Sequence, residues 1–289
     1  MRIASDGGRL TLMTGTWMGV DVETASDGKF AADPQVVYDR WDEFRQWAAS
    51  VDAGAARPIE PATLGLPTPR PRQVFAVGAN YADHIGETGR ETPKDLAVFT
   101  KFPSCLTGPF DPVALPSEKV DYEAELVVVI GRRTEHVSAE QAWSRVAGLA
   151  VGQDISERVM QRTSPRNQYC LAKSMPTFGP VGPFVVTPDE LPDRDDLAIR
   201  CEVNGEVRQN GRTKQLIFPV AEIVARLSQL CILLPGDLIF TGTPSGVGSL
   251  RTPPCFLSPQ DVIVTEIEGL GRMENHCRPA AVGLEYRTA

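Results

Sequence analysis

Apolar and polar positions along the chain predict many short strands and few helices. Around Asp6-Gly7-Gly8 the pattern predicts a hairpin. Asp33-Pro34 then gives the cap-then-proline start of a helix whose apolar stripe is Val37, Trp41, Phe44 and Ala48. PIEPATLGLPTPRP, residues 58–71, is dense in proline, which removes backbone donors and disfavours continued helix. A boundary is expected there, with a small N-terminal domain and linker over 1–70 and a larger domain over 71–289. In the larger part, RQVFAVGAN reads as a buried strand running into a glycine turn. DYEAEL, from Asp121, leads into the wholly apolar VVVI of Val127 to Ile130, a second buried strand. Ser138-Ala-Glu-Gln141 is a capping box that opens a short helix through about Ala147, and Leu149 to Asp154 follows as a strand. Asn204-Gly205 marks another hairpin, and Pro219 opens an amphipathic helix with Val220, Ile223, Val224 and Leu227 in register. LIFTGTPSGVG is a strand ending in a glycine-rich loop, and DVIVTEIEGLGRMENHCR closes the chain as a hairpin. The pattern predicts an α+β, predominantly β architecture rather than a doubly wound sheet.

The carboxylates of DYEAEL change the picture from fold to chemistry. Side chains alternate along a strand, so Asp121, Glu123 and Glu125 share one face. Glu123 and Glu125 are then about 7 Å apart and repel by about 0.6 kcal/mol in water, or about 2.4 kcal/mol at an effective dielectric of 20. Beside a core strand that repulsion calls for a cation or a solvated cleft. A divalent metal meets the need, because hard cations bind through a few carboxylates and keep positions for water or substrate. Asp154 ends the next apolar segment, LAVGQD, and a short crossover would bring it beside the two glutamates. By pattern alone, an acid pair on a solvated strand face remains the competing interpretation.

Composition narrows the partners. The chain of 289 residues is 42% hydrophobic and 23% charged, the balance of a globular protein, and its formal charge of −8 argues against nucleic acid or anionic membrane. No stretch has the length of apolar sequence that a membrane-spanning helix needs, and MRIASDGGRL lacks a signal peptide's apolar core, so a cytoplasmic location is expected. The six cysteines show no CxxC pair or metal spacing and are expected as free thiols.

Two further positions are candidates for proton chemistry. In NYADHIGETG, His84 and Glu87 stand one helical turn apart, so a carboxylate can orient the imidazole as a general base. Lys173, in LAKSMPTFGPVGP, would carry developing negative charge beside a metal, although a lone lysine is by default a solvated surface charge. TGTPSGVG fits no Walker or dinucleotide loop, but its backbone N–H groups are able to bind a carboxylate.

Taken in order, VGANYADHIGE, DYEAELVVVIG, VGQDIS, LAKS with FGPVGP, VNGEVRQ and LLPGDLIFTGTPSGVG resemble the fumarylacetoacetate hydrolase family over roughly residues 71–289. The resemblance implies a mixed β-sandwich roll preceded by a small N-terminal α/β unit. It implies Mg²⁺ or Mn²⁺ on Glu123, Glu125 and Asp154, a His84 and Glu87 pair on a mobile lid, and Lys173 as an oxyanion partner, assisted by Gln161. Tyr81, Arg90, Thr241 and Gly242 match substrate-contacting positions, and homodimers are usual. Lys173-Ser174-Met175-Pro176 departs from the Lys-Ser-Phe-Asp of many members, which bears on the substrate more than on the metal.

The expected activity is metal-dependent hydrolysis of a carbon–carbon bond in a 1,3-dicarbonyl, acylpyruvate-like acid. His84 would activate water, and Lys173 with Gln161 would stabilise the oxyanion. The alternative on the same site is decarboxylation or keto–enol isomerisation of a 2-oxo diacid. A non-catalytic, metal-stabilised binding protein is disfavoured, because a structural ion needs neither His84/Glu87 nor Lys173. Asp121 is expected outside the metal's ligand set.

Overall fold

The apolar run at the middle of the chain forms the Ala124–Ile130 strand, every residue of which is buried. In this computed structural model, which describes residues 1–88, 91–163 and 167–284, that strand has antiparallel neighbours on both edges. Val146–Gln153 lies on one side, with Ala124 opposite Gln153, and Leu238–Phe240 on the other, with Val127 opposite Phe240. The sheet continues from Leu238–Phe240 to parallel Val74–Gly78 and then to antiparallel Ala97–Thr100. On its other flank Gly179–Val186 pairs with Val146–Gln153, and the N-terminal hairpin of Arg2–Asp6 and Arg9–Gly15 extends it, with Arg2 opposite Val186. The hairpin turn is Gly7-Gly8, at φ of 56° and 80°, where a residue without Cβ carries no penalty.

A second, five-stranded sheet orders Glu206–Arg212, Ala198–Val203, Val262–Ile267, Gly271–Pro279 and Val113–Leu115 among the described residues. Alternate residues of the central strand serve two cores. Leu126, Val128 and Ile130 pack with Ile199, Ile263 and Met273 of the second sheet. Val127 and Val129 join Ile3, Leu10, Trp41 and Phe44 of the N-terminal part. A strand buried on both faces has no polar face to alternate with, which is why VVVI is continuous. The architecture is α+β and predominantly β.

The Asn204-Gly205 and C-terminal hairpins form, and the helix after Pro219 runs Val220–Leu230 with Val220, Ile223, Val224 and Leu227 buried. Three local features differ from the sequence pattern. Asp33 accepts the Gln35 N–H at 2.9 Å, but the chain makes a 3-10 turn over Val36–Arg40 before the α-helix Trp41–Ala48 begins. At the Ser138–Gln141 capping box the Ser138 N–H donates to Gln141 Oε1 at 3.3 Å, yet the α-helix stops at Ala142, because strand pairing has claimed the chain from Val146. Third, the strand expected to start at Asp121 is broken: Val120–Asp121 pairs with Ser156–Glu157, and the long strand resumes at Ala124. At the break the N–H groups of Glu123 and Ala124 are accepted by the side chains of Gln153 and Gln209, at 2.9 Å each. Buried backbone donors need acceptors, and two glutamines supply them.

Candidate active site and metal centre

The break sets the site. Asp154 directly follows the strand antiparallel to Ala124–Ile130, and its N–H donates to the Glu123 carbonyl at 2.9 Å. One carboxylate oxygen from each of Glu123, Glu125 and Asp154 lies within 4.8 Å of the others, and all three side chains are buried. Three hard oxygen donors at this spacing suit a divalent ion such as Mg²⁺ or Mn²⁺.

The charges around the triad are uneven. Lys173 Nζ donates to Glu123 Oε2 and to Asp154 Oδ2, at 2.7 Å each. Arg158 donates through a terminal nitrogen to Glu123 Oε1 at 2.7 Å, and Lys101 Nζ donates to Asp154 Oδ1 at 2.7 Å. Burial alone would push the Glu123 carboxyl up, but Lys173 and Arg158 outweigh it and hold the group down at about 2. Glu125 has no ion-pair partner among the described residues; it accepts the Gly242 N–H at 2.8 Å. Burial first, then the charges of Asp154 and Glu123, push its carboxyl well above the usual range. A buried carboxylate without a cation, flanked by two more, is the opening that a divalent ion fits. Lys173 is itself raised: burial opposes its charge, but Asp154 and Glu123 favour it.

A cavity of about 410 Å³ has the triad, Arg158 and Lys173 in its wall, together with His84, Gln161 and Thr243 and an apolar side that includes Val77, Phe99 and Val247. His84 and Glu87 lie on the helix Ala82–Thr88, with His84 Nδ1 3.2 Å from Glu87 Oε2. Glu87 also accepts the Gly246 N–H, and Asp83 accepts the Ser245 hydroxyl at 2.8 Å, so this helix is tied to the glycine-rich loop. Gln161 accepts from Arg158 at 3.0 Å and faces the cavity with it.

Other positions read from the sequence lie elsewhere. The Thr241 hydroxyl is fully buried and donates to the Leu126 carbonyl at 3.0 Å; it is Thr243 that lines the cavity. The strand ends at Phe240, and the loop that follows presents Thr243, not the Thr241 of the family resemblance, to the cavity. Tyr81 is buried beside the cavity rather than in its wall, and its hydroxyl has no hydrogen-bond partner among the described residues. Arg90 lies outside the described residues. The glycine-rich loop does bind carboxylates, but they are the chain's own: Gly242 on Glu125, Gly246 on Glu87, Gly248 and Ser249 on Asp121. Asp121 is thereby occupied, with Arg158 donating to it at 2.9 Å, and it stands outside the triad.

Sequence reading missed Lys101 and Arg158. Lys101 is 1% exposed and also donates to the carbonyls of Lys173 and Phe178, the latter at 3.1 Å. Arg158 bridges Asp121 and Glu123. The one available signal was electrostatic: acids this close to a core strand require nearby cations.

The family model for the fumarylacetoacetate (FAA) hydrolase C-terminal domain matches residues 73–278. The chain belongs to the fumarylacetoacetate hydrolase family. Within it, the Homo sapiens protein named oxaloacetate tautomerase FAHD2A, mitochondrial, is 44% identical over 220 residues, 75% of this chain and 70% of that protein. A Mycobacterium smegmatis protein provisionally designated HpcE shares 48% identity, with a TM-score of 0.91 and coverage of 97% of this chain and 100% of that one. The maleylpyruvate hydrolase of Sphingobium sp. SYK-6, solved with manganese(II) and pyruvate, shares 29% identity at a TM-score of 0.79, covering 97% and 100% of the two chains. Fumarylacetoacetate hydrolase relatives thus include tautomerases and hydrolases, and this member is an enzyme with an acidic triad able to hold a metal ion. No helix among the described residues is long and apolar enough to cross a membrane.

Proposed function

We propose that this chain is a metal-dependent keto–enol tautomerase of a small 2-oxo dicarboxylic acid. One observation carries this: His84, held by Glu87, and the buried Lys173 line a single cavity with the acidic triad. Tautomerisation needs a group that moves a proton at carbon and a cation beside the oxygen that gains charge, and no water positioned for attack. The 44% identity with a protein named oxaloacetate tautomerase supports the same reading.

Glu123, Glu125 and Asp154 would hold Mg²⁺ or Mn²⁺, which supplies Lewis-acid stabilisation of negative charge on substrate oxygen. Glu87 engages Nδ1 of His84, leaving Nε2 as the nitrogen that takes the proton from the carbon next to the ketone and delivers it to the ketone oxygen to form the enol, the reverse transfer restoring the ketone. Lys173 Nζ donates a hydrogen bond to the oxygen on which charge develops. Arg158 and Gln161 present fixed polar groups for a substrate carboxylate, and Val77, Phe99 and Val247 limit water.

Hydrolysis of an acylpyruvate-like acid is the second reading, favoured by the Sphingobium maleylpyruvate hydrolase neighbour. There His84 would take a proton from water instead of from carbon. Oxaloacetate and acylpyruvates, offered separately to the Mn²⁺-loaded protein and followed by mass spectrometry, separate the two: tautomerisation leaves the mass unchanged, whereas hydrolysis yields two acids. A cytoplasmic homodimer with residues 1–70 as a distinct domain belongs to the same proposal, and light scattering coupled to gel filtration tests the dimer.

A further inference from the structure

A second cavity, of about 230 Å³, lies at the far end of the central strands, walled by the Trp41–Ala48 helix, Gly131, Val146 and the segment from Pro188 to Arg194. Ile130, next to Gly131, pairs with Val146, whereas the triad sits beside Ala124 and Gln153 at the opposite end. The strand between spans roughly 20 Å, and the two cavities share no residue.

Four arginines line this space, Arg45, Arg132, Arg145 and Arg194, against two acids, Asp42 and Asp189, in a chain whose net charge is −8. Arg132 donates twice to Asp42, at 3.0 and 2.6 Å, and Arg45 lies 3.5 Å from Asp189. The Arg194 guanidinium sits over the Trp143 ring, 4.4 Å from its centroid, with its Nε 3.9 Å from Asp195 Oδ2. Arg145 has no such engagement: its Nε is buried and finds no acceptor among the described residues. Nε1 of Trp41, a residue 4% exposed, is buried without an acceptor in the same way. The ring carbon bonded to that nitrogen, Cδ1, faces Gly131, where an added Cβ would approach it to 2.9 Å. Glycine therefore lets the indole pack directly against the backbone at the cavity wall.

Buried N–H groups without acceptors are rare because each forfeits its hydration. Guanidinium presents parallel donors matched to carboxylate and phosphate oxygens. An oxyanion in this cavity would meet the Arg145 guanidinium, which alone of the four lacks an acid partner among the described residues, with the other three arginines around it. We infer that the cavity is a second binding site, for the carboxylate or phosphate group of a small anion, which clamps the N-terminal helix onto the sheet ends.

Tryptophan fluorescence reports on it, since Trp41 and Trp143 line this cavity and no tryptophan lines the catalytic one. The metal-loaded full chain is titrated at low salt with succinate and, separately, with inorganic phosphate. The expected result is a saturable change with at least one of them, weaker as sodium chloride rises. Arg145→Met should weaken it at least tenfold with catalytic turnover unchanged. Ser144→Glu, on the exposed wall, should cause the same loss without touching the core, which covers failure of the first variant to fold. A response to one probe alone assigns the group as carboxylate or phosphate. No saturable response to either, or one that both variants leave intact, overturns the inference.

Discussion

Lys101 and Asp154 form a fully buried ion pair, Nζ to Oδ1 at 2.7 Å, in which Asp154 belongs to the wall of the catalytic cavity. The same ammonium holds the backbone carbonyl of Lys173, so one side chain fixes both a metal-ligand candidate and the segment carrying the oxyanion partner. Removing one member of a buried pair strands the other charge. Lys101→Met is therefore expected to destabilise the fold by about 3–5 kcal/mol, measured by urea denaturation. A variant as stable as wild type would mean that Asp154 finds another donor.

Gly242 has φ of 102°, and an added Cβ would stand 2.9 Å from Cβ of Asn80. Its N–H is the hydrogen-bond donor to Glu125. Gly242→Ala is expected to shift that donor and weaken Mn²⁺ binding about 10- to 100-fold, the usual effect of losing an outer-shell partner. Calorimetric titration of the metal-free protein reads it.

Asp121 and Glu125 separate ligand from bystander. Glu125→Gln is expected to abolish tight Mn²⁺ binding. Asp121→Asn, which keeps the side chain's shape beside Gly248, Ser249 and Arg158, is expected to hold affinity within a few-fold. Manganese paramagnetic resonance titrations of the two variants, side by side, distinguish them; equal loss in both would place Asp121 in the ligand set.

Much of this site was legible in the sequence, for physical reasons that also set the limit. Period-two alternation placed Glu123 and Glu125 on one face, and the apolar segment ending at Asp154 pointed to a third ligand, because strand geometry repeats. His84 and Glu87 were legible because one helical turn fixes their separation. Lys101 was not, since it follows a short strand with mostly exposed side chains and is buried only by partners far along the chain, at Asp154, Lys173 and Phe178. Thr243 was missed because the resemblance pointed to Thr241 and Gly242, and past Phe240, where the strand stops, no period tells which side chain of the loop faces the cavity. The break at Tyr122 was hidden for a similar reason: the glutamines that accept its N–H groups come from two other strands.

The thiols give a test of the core independent of catalysis. All six cysteines are free; Cys105, Cys201 and Cys277 are buried, and burial pushes the Cys201 and Cys277 thiols up to about 12. A raised value keeps the thiol protonated below it, so at pH 8 the reactive thiolate is about 10⁻⁴ of the population, against about a quarter for a free cysteine. Iodoacetamide at pH 8 is expected to label Cys170 and Cys255 first and to reach the three buried thiols only after unfolding. Peptide mass mapping shows the order.

The central claim rests on proton transfer at carbon in the cavity of His84, Lys173 and the triad. Its most direct measurement is the keto–enol exchange rate of oxaloacetate by nuclear magnetic resonance, with Mg²⁺-loaded wild type, with added chelator and with His84→Ala. The expected result is exchange accelerated without loss of carbon, abolished by the chelator and slowed about 10²- to 10⁴-fold by the substitution. Exchange no faster than in buffer, accompanied by cleavage of an acylpyruvate in the same preparation, would contradict it.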